Sequence, residues 1–183
     1  MAKTLVPKRQ PGLPSPPSHI DWVRLAAYID GEGHIGIYLN KNRKSKNGRD
    51  IRLEYLSITV VNTDPRLVEW CYNTFGGKIL SIPRKEVNRK KHKPCYEWKV
   101  VAKFAAEILT GCLPYFLVKT EQAEIGLAFQ RTRLKQGGQV GAGKGQPRVP
   151  PAVAELRDHY HDEIKRIRTE VIPPAFVKTS SVN

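Results

Sequence analysis

The hydrophobic period of the chain changes within a few residues of Asp30, and that change fixes most of what can be built around it. Before it, Ile20, Val23 and Ala27, and with them Trp22, Ala26 and Ile29, recur at helical spacing. After it, His34-Ile35-Gly36-Ile37-Tyr38-Leu39 alternates with the two-residue period of a strand buried on one face. Ser18, followed three positions later by Asp21, has the form of a capping box, so a first helix is predicted from about His19 to Asp30. Gly31 and Gly33 stop it.

A second strand follows the polar loop Asn40 to Asp50. Its Leu56, Ile58 and Val60 face the core, and Tyr55, Ser57 and Thr59 the other way. Thr63-Asp64-Pro65 starts a second helix striped by Leu67, Val68, Cys71, Tyr72 and Phe75, and Gly76-Gly77 ends it. Strands at about Lys78 to Pro83 and Cys95 to Val101 flank the loop Arg84 to Lys93. Helices are then expected at about Lys103 to Thr110 and Phe116 to Lys135. The order α-β-β-α-β-β-α-α makes the chain α+β. Residues 19–136 read as one domain between a Pro-rich basic tail (1–18) and a Gly-rich linker (137–151). An amphipathic helix (152–172) carrying Val153, Leu156, Tyr160, Ile164, Ile167 and Val171 comes next, and a tail (173–183) closes the chain.

The charge narrows the partners. Lys plus Arg number 31 against 17 Asp plus Glu, a formal net charge of +14. Such an excess suits a polyanion, because each phosphate neutralised releases a counterion. No apolar run reaches bilayer length and no signal-peptide core follows the first residues, so a soluble intracellular protein is expected, in a prokaryotic cytoplasm or an organelle. Cys71, Cys95 and Cys112 form no CxxC pair, which argues for small buried hydrophobes rather than disulfides or zinc ligands. His159 and His161 point roughly 200° apart on a helix and do not converge on one ion.

Leu25-Ala26-Ala27-Tyr28-Ile29-Asp30-Gly31-Glu32-Gly33 resembles the LAGLIDADG motif of homing endonucleases position by position in residue class. The order of elements from about His19 to Gln136 is similar as well. The resemblance implies an αββαββα fold with a curved antiparallel DNA-binding sheet, with the C-terminal helix added. It implies metal-assisted hydrolysis of double-stranded DNA, with Glu32 as metal ligand and the Gly31 carbonyl as a second. Glu in place of the family's usual Asp lengthens that ligand by one methylene. Carboxylate, carbonyl, water and phosphate oxygens suit Mg²⁺, and Mn²⁺ or Ca²⁺ can substitute in binding. An EF-hand reading of Asp30 and Glu32 fails, since no third loop acid follows.

One motif per chain implies a homodimer in which Leu25, Ala26, Ala27, Ile29 and Asp30 form the contact between motif helices. The resemblance also gives Lys119, ahead of Gln122-Ala123, the task of orienting water and offsetting phosphate charge. Asn62 and Arg66 would hold the water network and the phosphate, although a capping turn explains them equally. The sheet's outward residues Tyr38, Asn40, Asn42, Tyr55, Ser57, Thr59, Lys78, Glu97 and Lys99, with Arg84 from the basic loop, are the DNA-binding candidates. Two rivals share this scaffold: a maturase binding intron RNA, and a non-catalytic DNA-binding protein.

Overall fold

The computed structural model describes residues 16–44, 50–82, 94–134 and 149–170. The expected N-terminal tail up to residue 15, the loop Arg84 to Lys93, the Gly-rich linker up to residue 148 and the C-terminal tail lie outside the described residues. The elements run α1 (His19–Glu32), β1 (Gly33–Lys44), β2 (Asp50–Asn62), α2 (Pro65–Phe75), β3 (Lys78–Ile82) and β4 (Cys95–Val101). They continue with α3 (Ala102–Cys112), a 3-10 turn (Leu113–Tyr115), α4 (Thr120–Leu134) and α5 (Pro151–Thr169). The strands form one antiparallel sheet in the order β1-β2-β4-β3, so the fold is α+β with an open sheet.

Local chemistry sets the boundaries of α1. The Asp21 amide donates to Ser18 Oγ (3.2 Å) and the Ser18 amide donates to Asp21 Oδ2 (2.8 Å), which is the capping box read from the sequence. At the other end the Gly33 amide donates to the Ile29 carbonyl. A Cβ on Gly33 would lie 2.6 Å from Ile29 Cα, so only glycine lets the helix turn directly into β1. Asp64 caps α2 by accepting from the Arg66 amide (3.0 Å). Gly76 and Gly77 leave α2 with φ of 81° and 101°, in the left-handed region that disfavours side chains.

One face of the sheet builds the core. Ile35 and Ile37 of β1, Leu56, Ile58 and Val60 of β2, and Trp98 and Val100 of β4 are buried against helices α1 to α4. Each fully buried Leu or Ile contributes about 1.5–3 kcal/mol. Cys71 and Cys112 sit in this core, and burial pushes the Cys71 thiol up to about 12.

Two expectations need correction. Residues 116–119 are not helical, and α4 begins at Thr120. The reason is distant in sequence, because the Asp30 carboxylate accepts from the amides of Leu117 (2.8 Å) and Lys119 (2.9 Å) and holds that segment open. In α5, Leu156 is exposed and its neighbour Arg157 is buried. Arg157 pairs with buried Glu54 of β2 and donates to Thr132 Oγ1 (2.9 Å) and the Thr132 carbonyl (3.1 Å) of α4. Arg52 bridges Glu54 (2.6 Å) and Asp158 (2.8 Å) beside it. The terminal helix therefore docks through a buried ion cluster together with Ile164, and runs alongside α4 and the β1 edge.

Candidate functional site

Glu32 is the last residue of α1 and its side chain is exposed. A carboxylate at this end of a helix faces the negative pole of the macrodipole and gains from any nearby cation. Lys119 supplies one. Its ammonium donates to the carbonyls of Ile29 (2.7 Å) and Asp30 in the last turn of α1, the first of which also accepts from the Gly33 amide. Burial lowers the pKa of Lys119, and the charges of Asp30 and Glu32 oppose that shift. The fold thus brings Lys119 to the end of α1 that carries Glu32.

Asn62 stands at the same end of the sheet, two residues past Val60, which pairs with Gly33. Its Oδ1 accepts from the Asp64 amide (2.8 Å), so the side chain serves the turn into α2. Arg66 is 85% exposed and bound to the Asp64 carboxylate. Both residues take up the capping arrangement. Among the described residues, no hydrogen bond or ion pair joins them to Glu32 or Lys119.

The motif helix is apolar on two faces, and the fold decides which one is internal. Leu25, Ala26 and Ile29 have no exposed surface in a single chain, so they cannot form a contact between chains. Asp30 commits its carboxylate to the amides of Leu117 and Lys119 within the same chain. Of the five residues expected at a helix pair, Ala27 alone lies open. The exposed stripe is Ile20, Val23, Ala27 and Gly31, flanked by Leu117 (90% exposed) and Val118 (66%).

The outward face of the sheet gathers the remaining candidates. His34, Thr59, Lys99 and Lys78 form one row across all four strands. Tyr38 and Tyr55 stack at 4.8 Å, Asn40 Nδ2 donates to the Tyr38 hydroxyl (3.4 Å), and Glu97 lies 3.9 Å from Lys99. Ser57 lines this face too, but it is mostly buried and its hydroxyl donates to the Gly36 carbonyl (3.3 Å), fastening β1 to β2. Arg84 and the side chain of Asn42 lie outside the described residues. Sequence reasoning missed His34, although the inward Ile35 and Ile37 already imply that it points outward. It also missed Lys165 and Arg168 of α5, which line the same face. Burial, and then the charges of Arg168, Lys119 and Lys99, lower the pKa of His34.

Among the described residues no group of three or more His, Cys, Asp or Glu could hold a metal ion. One exposed carboxylate and a neighbouring carbonyl still fit a hard cation that keeps several waters and takes its remaining oxygens from a phosphate, as Mg²⁺ does. No described helix is long and apolar enough to cross a membrane.

No family model matches the chain, and no curated protein matches it by sequence. Solved structures do match. The homing endonuclease I-CvuI, in complex with its target in the presence of calcium, superposes with a TM-score of 0.60 at 16% identity, over 87% of this chain and 88% of that one. The archaeal intron-encoded homing endonuclease I-Vdi141I, complexed with DNA, gives a TM-score of 0.60 at 10% identity, over 86% of this chain and 89% of that one. The LAGLIDADG homing endonuclease I-SmaMI, bound to cleaved DNA, gives 0.60 at 16% identity over 89% of this chain but 49% of its own. An open antiparallel sheet backed by helices, with a motif helix entering its edge strand, defines the class. The chain has the fold of the LAGLIDADG homing endonucleases.

Proposed function

We propose that the protein is a site-specific, metal-dependent DNA endonuclease of the LAGLIDADG homing type, acting as a homodimer on a long pseudo-palindromic site. The observation that carries this reading is the open stripe of α1, which ends at Glu32. Glycine in a helix costs about 0.5–1 kcal/mol relative to alanine. A Cβ on Gly31 would meet nothing within 4 Å inside the chain, so the protomer gives no reason for that cost. A second α1 packed along Ile20, Val23, Ala27 and Gly31 does give one. Twofold packing there covers Leu117 and Val118, brings two Glu32 carboxylates together and joins two sheet faces into one surface. The near-complete overlap with I-CvuI and the half overlap with I-SmaMI agree with one copy of the fold per chain.

Glu32 and the Gly31 carbonyl would hold the metal ion, which when bound polarises the phosphate and lowers the pKa of water. Lys119, fixed between backbone carbonyls, keeps a positive charge beside the scissile phosphate and offsets the charge that develops there. The Lys99 and Lys78 row holds the DNA backbone across the sheet. Tyr38, Asn40, Tyr55, Thr59 and Glu97 present hydroxyl, amide and carboxylate groups to base edges. Asn62 and Arg66 act by shaping the turn beside the site.

The test uses a plasmid carrying the joined flanks of the gene's insertion site. With Mg²⁺ the wild-type protein is expected to linearise it, and Glu32→Gln to bind the same DNA without cutting. Undiminished cleavage by Glu32→Gln would remove Glu32 from the mechanism. Splicing of a host intron with no DNA cleavage would place the protein among the maturases.

A further inference from the structure

We infer that the C-terminal turns of α5 form a phosphate-binding site for the DNA backbone, with Lys165 and Arg168 as its contacts. This rests on the endonuclease reading and assigns a task to the helix that the motif leaves unexplained.

The docking of α5 fixes its rotation. The buried pair Arg157–Glu54 locks its first half to β2, and Ile164 is enclosed at its middle. With that rotation set, Lys165 and Arg168 line a groove of about 270 Å³ that reaches onto the outward face of the sheet, together with His34, Thr59, Glu97 and Lys99. The groove holds three cations, Lys99, Lys165 and Arg168, and one carboxylate, Glu97, which lies 3.9 Å from Lys99. Three against one leaves an excess of two positive charges.

The neighbouring arginine shows that the arrangement is selective. Arg166 is bound on both sides, by Glu163 (2.7 Å) and Glu170 (2.8 Å), and does not line the groove. Lys165 and Arg168 do line it, and among the described residues no carboxylate pairs with either. Favourable interaction with the helix dipole explains basic residues in a last turn. It does not explain why the cations without a carboxylate partner are the ones that share a cavity with the sheet. In the floor of the groove the His34 ring lies across Gly36, where a Cβ would come 2.4 Å from the imidazole. His34, in the wall of this groove, follows Glu32 by two residues.

Anisotropy with a mixed-sequence duplex of about 40 base pairs, titrated from about 50 to 200 mM salt, tests the assignment, because each neutralised phosphate adds about 0.9 to the slope of log K against log salt. Lys165→Ala with Arg168→Ala is expected to lower that slope by roughly 2 per bound protomer, roughly 4 for a bound dimer, and to weaken low-salt binding at least about tenfold. Arg168→Lys should keep its share of the slope, and Arg166→Ala should leave it unchanged. All of these side chains are exposed, so each variant is expected to melt with the wild type. A wild-type slope in the double variant, or an equal fall in Arg166→Ala, overturns the inference while leaving the endonuclease reading intact. Failure of the wild-type protein to bind duplex at any salt overturns both.

Discussion

Glu54→Ala tests how α5 is held. The side chains of Glu54 and Arg157 are 4% and 5% exposed, so the substitution removes the carboxylate against which a guanidinium is buried. Breaking one side of such a pair costs about 3–5 kcal/mol, because the remaining charge keeps its desolvation penalty. Arg52 also loses its 2.6 Å contact with Glu54, but it is less buried and keeps Asp158, so it adds little. For a domain of this size about 1 kcal/mol moves the melting temperature by about 2–4 °C, which predicts a fall of roughly 6–20 °C. Replacing both partners by leucine removes both charges and should recover most of the loss. Thermal unfolding of Glu54→Leu, Arg157→Leu and the double variant, followed by circular dichroism, measures the coupling. A loss below about 1 kcal/mol in Glu54→Ala, or a double variant as unstable as the two singles summed, refutes docking through a buried ion pair.

Ala27→Arg should separate the protomers without unfolding them, since Ala27 is exposed and its neighbours on the core side are untouched. Sedimentation would then report a monomer of unchanged melting temperature that no longer makes double-strand cuts, and a persisting dimer would place the interface elsewhere. Asp30→Ala removes the acceptor for two backbone amides and should cost about 1–3 kcal/mol. Because the same contact sets the position of Lys119, cleavage should fall further than binding in that variant. Comparing rate with affinity checks this, and an equal fall in both would assign Asp30 to folding alone.

Much of the sheet was legible because two-residue alternation is a strong signal when one face is buried. Ile35, Ile37, Leu56, Ile58 and Val60 fix the inward set, and the outward set then follows by parity. Helix starts were legible where the cap lies next door in sequence, as with Ser18 and Asp64. The start of α4 was not, because its partner Asp30 belongs to α1. The motif helix hid its internal face for a different reason. Ile20, Val23 and Ala27 are as apolar as Leu25, Ala26 and Ile29, and only the position of the sheet decides which set is enclosed. Ser57 and Arg157 mislead in opposite ways. A serine at an outward position gives its hydroxyl to the neighbouring strand's Gly36 carbonyl, and an arginine on a terminal helix found a buried carboxylate that no local pattern announces. Lys119 was legible only through family resemblance, since its contacts are backbone carbonyls far away in sequence.

If each protomer cuts one strand through its own Glu32, a dimer with one inactive subunit can only nick its target. Differently tagged copies, one wild type and one Glu32→Gln, can be purified as a mixed dimer and given supercoiled plasmid carrying the target, with Mg²⁺. Nicked circles are expected to accumulate, and linear product is not. Linear product at the wild-type rate, or no nicking at all, would contradict it.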